Sequence, residues 1–235
     1  RTIQPDRKLR ANAVAVWRDV VLIGAENVAE LPSRDRELLA WRAATGEEAW
    51  SWPTLGDSLS IPLVHGDVAC FISSEPKLYA LDLVTRQLRW AVPTLAWGSA
   101  PPAISGEVIV VPSLEPEVAA FSLAHGECLW TFRADDQQNE SLHYQPALTS
   151  DTAYLAGGGK RVYAVDVASG QLRWRFEVER GFTCAPVLAG DKILLGVKDY
   201  RPSEEERKPG YSLYALEAAS GQLAFFSASV RAKPF

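Results

Sequence analysis

The residues of this chain that could carry acid–base, nucleophilic or metal chemistry are few and scattered. The histidines are His65, His125 and His143, and the cysteines are Cys70, Cys128 and Cys184. An odd, widely spaced cysteine set gives no disulfide framework, and no two cysteines stand at zinc-ligand spacing. The three thiols read as buried small apolar residues and point only faintly to a reducing compartment. His65 and His125 fall in tight turns on one side, and His143 in a longer connection on the other, so a shared catalytic or metal role is not expected. The acidic run Asp135-Asp136-Gln137-Gln138-Asn139-Glu140 lacks the central Gly of a calcium loop and reads as a solvated loop. No nucleophile elbow, phosphate loop, zincin helix or haem-attachment pair occurs. Catalysis within one segment is therefore not what this sequence advertises.

What it advertises is a repeat. An eleven-residue phrase, Ala-x-carboxylate-x-x-Thr/Ser-Gly-x-x-x-Trp, recurs with variations at Ala40–Trp50, Ala80–Trp90, Ala120–Trp130, Ala164–Trp174 and Ala215–Phe225. The closing aromatics lie 40, 40, 44 and 51 residues apart, and Pro62, Pro102, Pro146 and Pro186 repeat at 40, 44 and 40. Two landmarks in phase mean an array of small units, none able to bury its apolar face alone.

Each unit reads as four short strands. A Pro-led apolar stretch such as Pro102-Ala103-Ile104 is followed by a polar turn such as Ser105-Gly106-Glu107. A β-branched strand such as Val108-Ile109-Val110-Val111 comes next. A third strand such as Leu78-Tyr79-Ala80-Leu81-Asp82 then turns through Thr/Ser-Gly into a fourth such as Leu88-Arg89-Trp90. The predicted fold is all-β, a β-propeller of four-stranded antiparallel blades, five of them in this chain. Residues 1–10 read as an extension before one propeller domain at 11–235, with units near 11–57, 58–97, 98–140, 141–181 and 182–235.

The repeated residues have packing roles. The Ala leaves room beside it, and Trp50, Trp90, Trp130, Trp174 and Phe225 are expected to dock between blades. Asp82, Asp166 and Glu217 can accept from amides of the following turn, a role that Arg42 and Ser122 weaken in two units. Gly46, Gly126, Gly170 and Gly221 suit a positive-φ corner, where Arg86 stands as a local weak point.

Turns on the first side are uniformly short, while the other side carries the length variation: 25–38, 133–143 and 198–211. Loops carry function more often than scaffold strands. The candidate binding face is therefore Arg34, Asp35, Arg36, Trp97, Asp135, Asp136, His143, Tyr200, Arg201, Glu205 and Arg207. Trp97, outside the docking phase, is a candidate aromatic anchor. The mixed-charge, Pro-bounded segment 200–209 is a candidate partner-contacting arm.

The phrases Ala80-Leu81-Asp82-Leu83-Val84-Thr85 with Trp90 and Ala164-Val165-Asp166-Val167-Ala168-Ser169-Gly170 with Trp174 resemble the tryptophan-docking motif of quinoprotein propellers. The resemblance, to the PQQ-like β-propeller repeat family, runs from about residue 11 to 230. That family includes quinoprotein alcohol dehydrogenases, an outer-membrane assembly scaffold lipoprotein, and sensor domains of bacterial receptor kinases. The dehydrogenase branch implies an adjacent Cys-Cys pair, a calcium cradle of Glu and Asn, and an Asp base. This chain has no adjacent cysteines, and its asparagines are Asn12, Asn27 and Asn139. No catalytic residue, metal or quinone (PQQ) cofactor is expected. The expectation is a non-catalytic binding module. It is foremost a ligand- or protein-sensing domain of a larger bacterial protein, and in the alternative a protein-assembly scaffold.

With 47% hydrophobic and 23% charged residues the composition is that of an ordinary globular chain. No apolar run reaches the roughly 20 residues of a membrane-spanning helix. A net charge of −5, with basic residues scattered, argues against nucleic acid as a partner. The chain lacks Met and opens on no signal peptide. It reads as a mature or excised piece, with compartment unresolved. Five units closing into a ring are favoured over further blades from another segment or chain, and self-association is kept open.

Overall fold

The computed structural model describes residues 9–27, 36–54, 60–73, 76–94, 101–135, 141–178, 181–182, 184–199 and 210–227. Strands consecutive in the chain form five four-stranded antiparallel sheets. The first holds β1 (Leu9–Trp17), β2 (Val20–Asn27), β3 (Arg36–Arg42) and β4 (Glu48–Thr54). The second holds β5 (Leu63–His65), β6 (Val68–Ser73), β7 (Lys77–Asp82) and β8 (Leu88–Pro93). The third holds β9 (Ala103–Ser105), β10 (Val108–Val111), β11 (Glu117–Ser122) and β12 (Cys128–Arg133). The fourth holds β13 (Ala147–Leu148), β14 (Thr152–Leu155), β15 (Arg161–Asp166) and β16 (Leu172–Glu177). The fifth holds β17 (Val187–Ala189), β18 (Lys192–Asp199), β19 (Gly210–Glu217) and β20 (Leu223–Ser227). This is the meander expected from the repeat. Among the described residues no helix is long and apolar enough to cross a membrane.

The chain divides into two compact units, Arg1–Glu107 with Ser122–Glu127, and Val108–Phe121 with Cys128–Phe235. In the first, Val20, Leu22, Leu38, Ala40 and Trp50 pack against Ala69, Phe71, Tyr79, Leu81 and Leu83. Phe71 and Tyr79 stack at 5.3 Å, with Trp52 edge-on to both at 6.0 and 6.3 Å. In the second, Val110, Val118, Trp130 and Phe132 pack against Ala153, Leu155, Tyr163 and Val165. There Tyr154, Val162 and Ala164 also meet Ile193, Leu195 and Leu216. Period-2 alternation in the sequence supplies both faces of these sheets.

Every third-to-fourth hairpin has the same bulge. Ala40, Ala80, Ala120, Ala164 and Ala215 sit opposite Trp50, Trp90, Trp130, Trp174 and Phe225, and the register shifts at the next residue. The bulge follows a turn with a positive-φ residue, Gly126 at 73° and Gly170 at 70° for example. Those glycines are seats. Trp90 lies on Gly126, Trp130 on Gly170 and Trp174 on Gly221, where an added Cβ would come within 2.6 Å of the indole. Each indole N–H then donates to a backbone carbonyl: Trp90 to Leu123 at 3.0 Å, Trp130 to Val167 at 2.8 Å, Trp174 to Ala218 at 3.0 Å. In the second sheet Arg86 keeps the turn at φ 61°, and its guanidinium lies 5.7 Å from the Trp50 ring centroid. The slot read as a weak point thus holds a cation–π contact.

The cysteine reading needs correction. Cys70 is buried as expected, and burial pushes its thiol up to about 12, but Cys128 and Cys184 are exposed. Cys128 takes the paired position just before the bulge that Leu88, Leu172 and Leu223 occupy elsewhere, and all three of those leucines are also exposed. Cys184 lies in a connection rather than a strand. Two long loops are also shorter than read. Ala25 pairs with Glu37 and Glu26 with Arg36, while Lys198 pairs with Tyr211 and Asp199 with Gly210.

Candidate functional site: a stitched loop surface

The two ends of the sheets are built differently. At the turn end carboxylates cap the turns, and Asp67 of the β5–β6 turn also accepts from Trp17 and Arg18 of the first sheet at 3.0 and 2.9 Å. Asp82 accepts from the amides of Val84 and Thr85 at 3.0 and 2.8 Å, and from the Arg89 guanidinium at 2.6 Å. Asp166 accepts from the amides of Ala168 and Ser169 at 3.1 and 2.9 Å, and from Arg173 at 2.7 Å. Arg173 also donates to Asp151 of the β13–β14 turn at 2.8 Å. The Thr85 amide and then Arg89 hold the Asp82 carboxyl down to about 2. Arg173, with the Ser169 hydroxyl and amide, does the same for Asp166; Arg173, with Thr149 and Thr152, does it for Asp151. In the third sheet Ser122 substitutes weakly, its hydroxyl accepting from the His125 amide at 3.4 Å. His65 and His125 are both exposed at this end.

At the other end, within the second unit, the connections tie to one another. The amide of Ser113 donates to Leu142 O, and that of Leu142 to Glu115 O, both at 3.2 Å. Gly158 N donates to Ser141 O at 3.1 Å, Tyr144 N to Ala156 O at 3.2 Å, and Phe182 N to Gly159 O at 3.3 Å. Leu142 bridges to Ser113 and Phe182 to Val197, and both apolar side chains are buried like pegs. The Tyr144 hydroxyl adds a bond to Phe182 O at 3.2 Å. Connections of the third, fourth and fifth sheets thereby become one surface.

Its glycines are structural. A Cβ on Gly157 would fall 1.6 Å from Ser141 O, so the β14–β15 connection can pass only as glycine. A Cβ on Gly181 would meet the carbonyl oxygens of Gly158 and Gly159 at 3.1 and 3.3 Å, a tight fit but a far milder one. On this frame the Ser141 hydroxyl stands 2.7 Å from His143 Nδ1 and accepts from Gly158 N at 3.3 Å. The His143 ring packs on Tyr144 at 4.4 Å. Burial lowers the His143 pKa, which favours neutral imidazole. Burial, and then Cys184, raises the Tyr144 hydroxyl. Leu114, Glu115, Gly158, Lys160 and Cys184 are exposed around these residues.

Of the residues singled out from sequence, the structure places His143 in this network and pairs Asp135 with Arg175. Arg36 opens β3 rather than lying in a loop. Arg34, Asp35, Trp97, Asp136, Tyr200, Arg201, Glu205 and Arg207 lie outside the described residues. Sequence reasoning missed Leu142, Phe182 and the Gly157-Gly158-Gly159 run. A signal was present: Leu142 and Phe182 each stand four residues before the unit's proline, Pro146 and Pro186. Among the described residues, no group of three or more His, Cys, Asp and Glu could hold a metal ion.

Residues 6–111, 65–195 and 114–228 match, in overlapping stretches, the family described as outer membrane protein assembly factor BamB. The chain belongs to that family. BamB from Moraxella catarrhalis has a crystal structure similar to this chain, with a TM-score of 0.64 at 16% identity. The likeness covers 97% of this chain and 76% of that one. At such identity it shows the fold, a β-propeller of four-stranded antiparallel blades. No curated protein matches the chain. Membership in the BamB family bears on the tryptophan seats above as packing devices of the repeat.

Proposed function

We propose that this chain is a non-catalytic scaffold that holds a protein partner during protein assembly, through the loop surface around His143. One observation carries the reading: within the second unit, connections of three successive sheets are hydrogen-bonded backbone to backbone into a single frame. A fixed frame holding exposed groups such as Leu114, Glu115 and Lys160 presents them at little ordering cost. The family description, an outer membrane protein assembly factor, supports an assembly role over the sensor reading that the sequence first favours. Arg34, Asp35, Trp97, Asp136, Tyr200, Arg201, Glu205 and Arg207 are proposed as further partner contacts. Neither a metal nor a quinone enters the proposal.

The test is co-purification from the membrane fraction of the native host. Leu114→Asp with Lys160→Glu is expected to lose the partner, and Val84→Asp with Ala168→Asp, at the turn end, to keep it. Equal recovery from both variants would overturn the assignment of the face. Recovery of no membrane-assembly component even by the parent chain would overturn the function.

A further inference from the structure

We propose that Ser141 is a nucleophilic serine with His143 as its base, able to take one acyl or phosphoryl group onto Oγ from an activated donor. Such a site lies beyond the scaffold role and needs no partner protein. It rests on a side-chain pair in the loop frame, where the Ser141 hydroxyl stands 2.7 Å from His143 Nδ1. A hydroxyl is a weak nucleophile until a base at hydrogen-bond distance can receive its proton.

The frame positions the pair by alternation. Ser141 and His143 flank Leu142, a buried residue whose amide donates to Glu115 O and whose carbonyl accepts from Ser113 N, both at 3.2 Å. Residues i and i+2 of an extended segment share one side. Burying Leu142 therefore turns both neighbours the other way, and both are half-buried there. Gly158 N donates to Ser141 O at 3.1 Å and to its Oγ at 3.3 Å, which holds the hydroxyl in place. The Tyr144 ring, 4.4 Å away, backs the imidazole. Burial favours the neutral ring, the form that can accept a proton.

A glycine keeps the pair open. Gly158 is exposed, and a Cβ there would lie 3.0 Å from Ser141 Oγ and 3.5 Å from His143 Cε1. Any larger residue at this position would crowd the hydroxyl. In the reaction Oγ bonds to the electrophilic carbon or phosphorus, and the bond to the leaving group breaks. The serine proton passes to Nδ1 of the neutral ring and from there to the departing group. The Gly158 amide is committed to Ser141 itself rather than to a developing oxyanion. The outcome is one esterification per chain rather than turnover.

Diisopropyl fluorophosphate, followed by intact mass and peptide mapping of the 235-residue chain at neutral pH, tests this. Fluoride should leave, and the parent chain should gain one diisopropylphosphoryl group at Ser141. Ser141→Ala should gain none. His143→Gln should be labelled about a hundredfold more slowly, the contribution of a positioned base. Gly158→Ala should be labelled several-fold more slowly. Tyr144→Phe keeps the pair and removes the hydroxyl that donates to Phe182 O, so it should be labelled at the parent rate. That variant separates loss of the base from loosening of the frame. A parent chain left unlabelled at Ser141, or labelled at another residue instead, would overturn the proposal. So would a His143→Gln rate equal to the parent's, or a Tyr144→Phe rate that falls as far as that expected of His143→Gln.

Discussion

The indole of Trp130 rests on the Cα of Gly170 and donates its N–H to Val167 O at 2.8 Å, a shape match and a hydrogen bond made by one side chain. Two substitutions separate the terms. Trp130→Phe removes the bond and should cost about 1 kcal/mol. Trp130→Ala removes the packing too and should cost about 3–5 kcal/mol in denaturant unfolding. Gly170→Ala puts a methyl into the ring, whereas Gly190→Ala, at φ 63° with nothing within 4 Å of the added Cβ, carries backbone strain alone. The first should be clearly the more destabilising; equal losses would mean the glycine serves only the turn.

Arg86 gives a second expectation. Its positive φ costs an L-residue about 1–2 kcal/mol, and its contact with Trp50 returns about 0.5–1 kcal/mol. Arg86→Gly relieves the first and loses the second, so its melting temperature should be near that of the parent. Arg86→Ala keeps the strain without the contact and should be less stable than either.

Acid unfolding reports on the turn carboxylates. Asp82, Asp151 and Asp166 are held at about 2 in the folded chain, below the ordinary carboxylate value of 3.8. A depressed folded pKa contributes stability that is complete above 3.8 and lost as pH falls toward 2. Arg173→Gln removes a donor shared by Asp151 and Asp166. It should flatten the stability–pH curve between those limits while leaving its slope above pH 5 unchanged.

His143 acts in a separate window. Its pKa is lowered by burial, so the folded state favours the neutral ring. The loop frame should be fully stable above the ordinary value of 6.5 and weaken as pH falls below it. Hydrogen exchange at Leu142, Tyr144 and Gly158 amides should quicken between pH 7 and 5, and His143→Gln should abolish that dependence. An unchanged exchange profile in the variant would place the titrating group elsewhere.

The strands, the docking tryptophans and the turn caps were legible because each depends on local pattern: alternation, a recurrent Ala–Trp spacing, an Asp before a Ser/Thr-Gly turn. The loop frame was not, because it is made by backbone atoms of residues that lie far apart in the chain. Ser141 O meets Gly158 N, and Gly159 O meets Phe182 N, through no side-chain signature beyond the glycines themselves. Exposure of Cys128 was also hidden, since the bulge after Ala120 fixes which side of β12 it takes. Arg36 was misplaced for a related reason: charged residues at 34–36 look like loop, yet pairing with Glu26 carries the strand to Arg36.

The most direct test of the account is a photo-crosslinking scan in cells of the native host. Benzoylphenylalanine would be placed at Leu114, His143 and Lys160, and at Val84, Ala168 and Ser220 of the turn end. The expected result is a crosslink from the first three to a component of the outer-membrane protein assembly machinery, identified by mass spectrometry, and none from the second three. Crosslinks to that component from the turn-end positions alone would contradict the account.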